Sequence, residues 1–564
     1  MNRENYKAFH QHYLKLKAEF ERKLFEEYKY YERLYLNDKI PTHVIKGVSE
    51  ITDPIAYELI EHKLSHLITD VPNTEIIPKI DPYNMNERDD VIKARILNTL
   101  INFQLSKKSI GFLQKIRQHV KIASIYGTSF NLMSWKYDKQ NKIDEPELIV
   151  LNPFRCFPDL EAESDDKMRF FIYEDYLSWE EILKFEKEKK LLVPSEKLKE
   201  FLRKYNKFDY TENNFNIILE KENLIFEPTL KVLKVFTPEK WLILLANDGQ
   251  VIFEMANPVN SLRLPIAILR NIEMPFSFFG ISDLYFIEGL IQTTNQMINY
   301  RMFNIKNIVE PKYKATAAAA QAYGHTWKNE PDQIFIVDNI NDIQPFIIPD
   351  ATAGTFLTTM NYINDTISRR LGRVDYITRT EANKFKTATE INQMKVESNA
   401  RKKLYLELIN EFTHDIIYQM IKFNSAFINE NTIIELDNNF NDFLLENDTY
   451  TINDKKYLLI RPEYLKGDYD FKISKNISYS LEKQERLMIL EKALNLLLQV
   501  KPVYDEKGLK LNLDSILKEY LFLLGNFNIN EIIEKNINFG NNNLNSLINT
   551  NTVGDEQVNE TKEE

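Results

Sequence analysis

The stretch SDLYFIEGLIQTTNQMINYRMFNIKNIV, residues 282–309, decides how the chain is read. Leu284, Ile287, Ile291, Ile298 and Ile305 recur at spacings of three, four and seven, which puts them on one stripe of a helix. The middle of the same stretch, QTTNQMINYRMFN (292–304), is polar on its remaining faces. At ~1.5 Å per residue, a helix over 282–310 is about 43 Å long. A lone globular domain rarely needs such a rod, whereas a packed array of subunits does.

Downstream, the rod ends near Pro311. A mixed segment follows, KYKATAAAAQAYGHTWKNEPDQIFIVDNINDIQPFIIP, in which QIFIV and QPFII read as short strands. A second helical run, 352–371, stops at Gly372, where a C-terminal cap belongs, and its last turn carries Arg369 and Arg370 against the negative end of the helix dipole. Then comes a basic segment containing Arg373, Arg379, Lys384 and Lys386, with Asp375 and Glu381 reducing but not cancelling its charge. Read as residues alone, it is either a solvated helix–helix loop or a site of phosphate contact. Thr387 and Glu390 have capping-box spacing. The helix they start is expected to run to about 425, with Ile409, Phe412, Ile416, Met420 and Phe423 as its apolar stripe.

Upstream, residues 1 to about 36, 55–70 and 88–130 read as helical, the last two separated by the loop VPNTEIIPKIDP. SFNLMSWKYD, ELIVLNPFRCFPD and RFFIYEDYL are aromatic and β-branched runs that read as strands. In KVLKVFTPEKWLILLANDGQVIFEM two apolar runs flank Asn247-Asp248-Gly249, a tight hairpin turn. A β-rich lobe near 125–270 results, with helical pieces at 178–206. A second β-rich piece is expected over 433–475 and further helices over 480–523, before an Asn-rich acidic tail that reads as disordered.

The 564 residues are too many for one core, and only 14 are Gly, about 2.5% against a usual ~7%, which favours long regular elements. A net charge of -11 argues against a broad basic grip on nucleic acid. The single cysteine, Cys156, excludes an intrachain disulfide and a CxxC zinc site, fits a reducing compartment and reads as an inert thiol. No signal-peptide h-region opens the sequence and no window approaches 18 apolar residues, so a soluble, cytosol-like setting without membrane insertion is expected. Neither GxxxxGK[ST], GxGxxG after a strand, HExxH, GxSxG nor an EF-hand loop occurs. His62 and His66 share a helix face without an apparent third ligand, and the pairs Asp89-Asp90 and Asp165-Asp166 are expected on solvent-facing turns. No catalytic residue, metal or cofactor is therefore expected, and the chain reads as a non-enzyme.

The order of these features resembles the portal proteins of tailed double-stranded DNA bacteriophages over roughly 45–525. The resemblance is carried by IASIYGTSFNLMSWKYD (122–138), PFSFFGISDL (275–284), the TATEI of Thr387–Ile391, RPEYLKGDYDFKI (461–473) and SYSLEKQERLMILEKAL (478–494). It implies an α+β, mainly helical, portal-type fold with wing, stem, clip and crown, assembled as a ring. The N-terminal helices and wing would be 1–280, the first stem helix 281–310, the clip 311–350 and the second stem helix 351–371. A tunnel loop would follow at 372–386, then a long wing helix and β-rich segment at 387–475, a helical crown at 476–530 and the tail at 531–564. The implied function is a ring, typically of twelve subunits, at one capsid vertex of the virion, assembled in the host bacterial cytoplasm. It would be the conduit for DNA packaging and ejection. The implied partners are further copies of the chain, the major capsid protein, a terminase, head–tail adaptor or tail proteins, and double-stranded DNA passing without sequence readout. Arg373, Arg379, Lys384 and Lys386 would face the DNA channel, and Lys312, Lys314, Trp327 and Lys328 would lie at the clip for partner docking. The rival readings are another virion structural protein, such as a connector or minor capsid component, and a nucleic-acid-processing enzyme with a degenerate site.

Overall fold

A computed structural model describes residues 3–38, 51–69, 88–138, 143–205 apart from 163 and 189, 229–259, 263–309, 312–318, 343–346, 353–371, 388–436, 448–452 and 455–466, with a few isolated positions. The chain divides into two units, Met1–Ser474 and Lys475–Glu564, and nearly all the described residues belong to the first. Apart from Leu490, the helices expected over 480–523 lie outside the described residues, as do the acidic tail and QIFIV.

The first unit is α+β. It opens with α1 (Arg3–Arg22) and α2 (Leu24–Tyr35), followed by α3 (Ile55–Thr69), α4 (Arg88–Ser106) and α5 (Phe112–Tyr126). The helical reading of 88–130 was too long. Residues 107–111 break it, Gly111 taking a left-handed φ of 59°, and the chain is already a strand at Thr128. Strand β1 (Thr128–Asp138) lies at the centre of a three-stranded sheet, paired antiparallel with β2 (Ile143–Leu151) on one side and β8 (Ile266–Arg270) on the other.

Between β2 and β8 the chain builds a five-stranded antiparallel sheet in sequence order: β3 (Cys156–Pro158), β4 (Phe171–Ser178), β5 (Thr229–Phe236), β6 (Lys240–Leu245) and β7 (Val251–Ala256). The β6–β7 hairpin turns at Gly249, whose φ of 70° only glycine adopts without strain. Helix α6 (Trp179–Lys187) leaves β4 through a full capping box, in which the Ser178 side chain accepts from the Glu181 amide and the Glu181 carboxylate accepts from the Ser178 amide. Helix α7 (Ser195–Tyr205) joins α6 over the cluster of Leu177, Ile182, Leu198, Val232 and Ile252.

The N-terminal helices close this lobe with aromatic rings. Phe20, Phe25 and Tyr13 pack on Phe157 of β3, and Tyr28 packs on Tyr126 and Phe154. Beneath them Glu174, almost fully buried, accepts from Tyr13 and pairs with Lys17 and Lys231. Asp165 and Asp166 lie on a short 3-10 turn, Asp166 exposed as expected, yet both carboxylates are paired across the fold. Asp165 holds Arg270 at the end of β8 through two bonds of 2.7 and 2.9 Å, and Asp166 pairs with Arg263. Both arginines stand about a hundred residues away, so no local pattern could announce them.

After β8 come α8 (Glu288–Val309), a short antiparallel hairpin of β9 (Lys312–Ala315) with β10 (Ile343–Phe346), and α9 (Ala353–Leu371). The 40-residue α10 (Ala388–Phe427) follows, and all five residues of its expected stripe are buried. It is tied to α4 by a buried reciprocal amide pair, Gln104 with Asn424, at 2.8 Å both ways. A three-stranded sheet, β11 (Thr432–Leu436), β12 (Thr449–Ile452) and β13 (Lys455–Ile460) in the order β11-β13-β12, ends the described fold.

Candidate functional site: the foot and tip of the α8–α9 pair

The segment before α8 is locked to the body by backbone contact that only glycine permits. Gly127, at φ +86°, ends α5, and a Cβ there would stand 2.2 Å from the Gly280 carbonyl oxygen. A Cβ on Gly280 would in turn meet the Gly127 oxygen at 2.6 Å. Around this contact the Gly280 amide donates to Thr128 Oγ1, the Asn271 amide to the Gly127 carbonyl and Ser282 Oγ to the Ser124 carbonyl. Ser282 also caps a short 3-10 turn over Asp283–Phe286, so the helix proper starts at Glu288 rather than at Ser282. Its 22 residues span about 33 Å, not 43 Å.

A polar cluster pins the turn to two further elements. Lys63 of α3 donates to Asn271 Oδ1 and Asp283 Oδ2, both at 2.7 Å, and its ammonium lies 3.7 Å from the ring centroid of Tyr405 on α10. Asn271 Nδ2 donates to Asp283 Oδ1 and the Ile281 carbonyl. Burial alone would lower the Lys63 pKa, but Asp283 and Tyr405 outweigh it and hold the ammonium above the usual lysine value. Arg270 completes the brace: besides gripping Asp165, it donates from Nε to the Phe278 carbonyl at 2.7 Å.

Three polar residues of α8 are used inside the chain. Asn299 accepts from the Ile51 amide at 2.9 Å and donates to the Ile51 carbonyl at 3.0 Å, treating that residue as a neighbouring strand would. One turn earlier Asn295 accepts from the Asp53 amide at 2.9 Å, and one turn before that Gln292 donates to the Tyr30 hydroxyl. Glu288, at the start of the helix, has its carboxyl pKa raised by burial and by Glu27.

The apolar stripe behaves differently from foot to tip. Leu284, Ile287 and Ile291 are buried, whereas no residue of α8 after Asn299 is. Met302, Ile305 and Ile308 are exposed, and Val309 is 72% exposed. Helix α9 runs back antiparallel and repeats the pattern. Leu357 and Tyr362 are 62% and 63% exposed, Ile363 and Ile367 are buried, and Arg370 at its end donates to the Phe286 carbonyl at the foot of α8. The pair is thus a hairpin with an embedded foot and an apolar tip uncovered by the described residues.

Of the residues singled out from sequence, Lys312 and Lys314 lie on β9, and Lys314 is exposed. Trp327, Lys328, Arg373, Arg379, Lys384 and Lys386 lie outside the described residues, as does Thr387, which immediately precedes α10. His62 is on α3, while the side chain of His66 is outside the described residues; among the described residues no group of three or more His, Cys, Asp or Glu could hold a metal. Cys156 is buried, its thiol pKa pushed up by burial and its Sγ donating to the Asn152 carbonyl. No described helix is long and apolar enough to cross a membrane. Sequence reading missed Lys63, Asn271, Asn295 and Asn299. Their only local signal was the polarity of the α8 midsection, which does not say where each side chain ends.

A family model described as the phage SU10 portal protein matches residues 237–520, just over half of the chain. The match begins at the β5–β6 turn and takes in α8, the β9–β10 hairpin, α9 and α10. No curated protein matches the chain.

Proposed function

The chain belongs to the phage SU10 portal protein family, and on that premise we propose that it assembles into a closed ring at one capsid vertex through which the genome is packaged and ejected. A portal is a structural component of the virion, and its family implies self-assembly and dealings with capsid and DNA in general. In this reading residues 1–280 form the wing and its N-terminal helices. Residues 281–310 and 351–371 are the stem, 311–350 the clip, 372–386 a tunnel loop, 387–475 the long wing helix with its β-rich segment, and 476–530 the crown. A tail occupies 531–564. The ring, of twelve subunits by the family resemblance, is seated in major capsid protein, takes DNA from a terminase and receives adaptor or tail proteins at the clip, where Lys312, Lys314, Trp327 and Lys328 stand.

The observation that carries this reading is the division of the α8–α9 hairpin. A rigidly embedded foot with an uncovered apolar tip suits a heterologous contact repeated around a closed ring, because a neighbouring copy supplies the missing cover at every step. An acidic protein repels phosphates over most of its surface, so a passing duplex does not adhere. Arg373, Arg379, Lys384 and Lys386, between α9 and α10, then give weak, exchangeable phosphate contacts without reading bases.

Electron microscopy of the purified chain tests the ring, with a cyclic particle around a central channel as the expected outcome. A particle lacking cyclic symmetry or a channel overturns it. Replacing Arg373, Arg379, Lys384 and Lys386 together by Gln should leave rings intact and reduce packaging or genome retention. Unchanged packaging and retention would remove the loop's assigned role.

A further inference from the structure

Helix α10 is seated on the body by an apolar stripe whose polar neighbours are left unsettled. Seven buried side-chain nitrogen and oxygen atoms lack a hydrogen-bond partner among the described residues, and five of them flank this one helix. Tyr405 Oη and Gln419 Oε1 belong to α10 itself, Ser124 Oγ to α5, Asn131 Nδ2 to β1 and Trp241 Nε1 to β6. A polar atom sealed from water without a partner is costly, so five along one seam require a cause. Four of them fall into two facing pairs, each with one member on α10 and one on the body. Trp241 and Gln419 line one cavity of about 10 Å³, too small for an organic ligand. The indole nitrogen only donates and the amide oxygen only accepts. At the other end, burial raises the Tyr405 phenol pKa while Lys63 and Ser124 pull against it, yet neither the Tyr405 nor the Ser124 hydroxyl closes a bond of normal geometry. Asn131, between the two pairs, reaches α10 through His119, whose ring packs on Phe412.

The contacts around these pairs are stretched or free to shear. Gln419 Nε2 reaches the Leu264 carbonyl at 3.4 Å and His119 Nε2 reaches Asn131 Oδ1 at 3.3 Å, both beyond the usual range. Thr413, buried at mid-helix, turns its hydroxyl back to the Ile409 carbonyl of its own helix. Trp241, Phe423, Phe427 and Trp135 form a near-parallel stack, with successive interplanar angles of 26°, 27° and 12°, and offset ring faces tolerate sliding. The firm tie is the Gln104–Asn424 amide pair, which makes α4 travel with the helix. Trp241 is wedged between Phe236 and Phe423, and Tyr405 lies under the Lys63 ammonium, so neither ring turns in place. We propose that α10 has a second seat, reached by a small rigid displacement together with α4, in which Trp241 Nε1 donates to Gln419 Oε1 and the Tyr405 and Ser124 hydroxyls bond. Tyr405 and Gln419 stand ~21 Å apart along the helix, so one movement of one rod serves both pairs. Shifts of about 1–2 Å are the usual scale for a packed two-state helix. The driver rests on the ring reading above, whereas the two seats belong to the single chain. Helix α10 starts just after the basic residues assigned to DNA, so a duplex drawn past them biases one seat against the other.

Isotope labelling of the four tryptophans in the full chain, held below its assembly concentration, tests the two seats through the indole N–H resonances. Trp241→Phe identifies the Trp241 signal. In the parent that signal should show microsecond-to-millisecond exchange toward a hydrogen-bonded position. Trp135, whose Nε1 already donates to Asp144 at 2.7 Å, should stay single. Gln419→Met keeps the side-chain length and removes the acceptor. It should cut the exchanging population roughly tenfold, the scale of one hydrogen bond lost in the second seat and one unpaired group removed from the first. Tyr405→Phe should act on the Trp241 signal in the same way from the far pair, which a side-chain rearrangement at Trp241 alone does not explain. Both variants should hold or raise the denaturation midpoint, because the atoms they remove are unpaired in the seat described. A Trp241 signal without exchange overturns the second seat. Exchange at Trp241 that Tyr405→Phe leaves unchanged overturns it too, because the pairs would then act separately. A clearly lowered midpoint does the same, because the removed atoms would then serve the first seat. Exchange in a chain that forms no rings at any concentration upholds the two seats and overturns the ring reading alone.

Discussion

Along α8, the residues up to Asn299 and those beyond it follow opposite rules. In the first half three polar side chains are engaged within the chain, Gln292 with α2 and Asn295 and Asn299 with the backbone of residues 51–53, and the apolar Ile291 is buried. In the second half the apolar side chains face solvent. A single amphipathic pattern, continuous in sequence, is therefore satisfied within the chain at the foot and left open at the tip. The foot carries stability, and the tip is the surface that the proposed ring would cover with a neighbour. Substitutions in the two halves should separate accordingly.

The largest effect belongs to the lock under the foot. Gly127→Val places branched carbon where a Cβ already stands 2.2 Å from a carbonyl oxygen, at a φ of +86° that valine does not tolerate. Loss of 4 kcal/mol or more is expected, on the order of the whole stability margin, so the variant should fail to accumulate as soluble protein. Soluble, cooperatively melting Gly127→Val would show that the foot is not rigidly seated.

Next comes the contrast within the helix. Asn299→Leu removes both bonds to Ile51, whose amide and carbonyl must then turn to water, which should cost about 1–2 kcal/mol by chemical denaturation. Ile305→Asp, on an exposed tip position, should shift the same midpoint by no more than about 0.5 kcal/mol, yet abolish rings if the tip is the subunit contact of the proposed ring, by placing a carboxylate in it. If Ile305→Asp unfolded the chain, or Asn299→Leu spared stability and only blocked rings, the division between foot and tip would be misplaced.

The uneven legibility of these halves has a physical cause. Local patterns announce elements. The stripe from Ile409 to Phe423, the Asn247-Asp248-Gly249 turn and the Ser178–Glu181 box follow from side chains within a few residues of one another, and all are present. What sequence could not supply was the destination of a polar side chain. Asn299 meets Ile51 across 248 residues, Lys63 meets Asp283 across 220 and Arg270 meets Asp165 across 105. Amide and carboxylate groups look the same in a solvated face and in a tertiary clamp, so the polarity of the α8 midsection left its partners undetermined. The left-handed Phe276, at φ 64° after Pro275, had no local signal, because a turn of that kind is announced by Gly or Asn at this position.

A smaller effect sharpens the contrast from the side of the body. His119 of α5 is buried, contacts Ser129 Oγ at 2.7 Å and Asn131 Oδ1 at 3.3 Å, and packs edge-on against Phe412; burial pulls its pKa down to about 3. Below the ordinary value of 6.5 the unfolded chain takes up a proton that the folded chain refuses. Its contribution is thus present above pH 6.5 and declines as pH falls toward 3, by at most about 1.4 kcal/mol per unit. Denaturation midpoints taken from pH 7 to 5 should fall for the parent and fall less for His119→Gln. Equal slopes would mean that the imidazole is hydrated in the folded chain.

The smallest expected effect sits where foot and body meet. Glu288 opens α8 half-buried, its carboxyl pKa raised by burial and by Glu27, which in turn accepts from the Tyr31 hydroxyl. For a carboxyl raised in the folded state the sign is opposite to that of a paired one. The ionised form is disfavoured by folding, so the site detracts from stability above its folded pKa, and the deficit disappears as pH falls through that value. Favourable placement of a negative charge at a helix N-terminus works against this deficit and keeps it small. Glu288→Gln should therefore gain a few tenths of a kcal/mol at pH 7, with solvent screening taken into account, and nothing below about pH 4. A loss at neutral pH would mean that the dipole term outweighs burial and Glu27 together, and that the foot of α8 is held by its charge as well as by its amides.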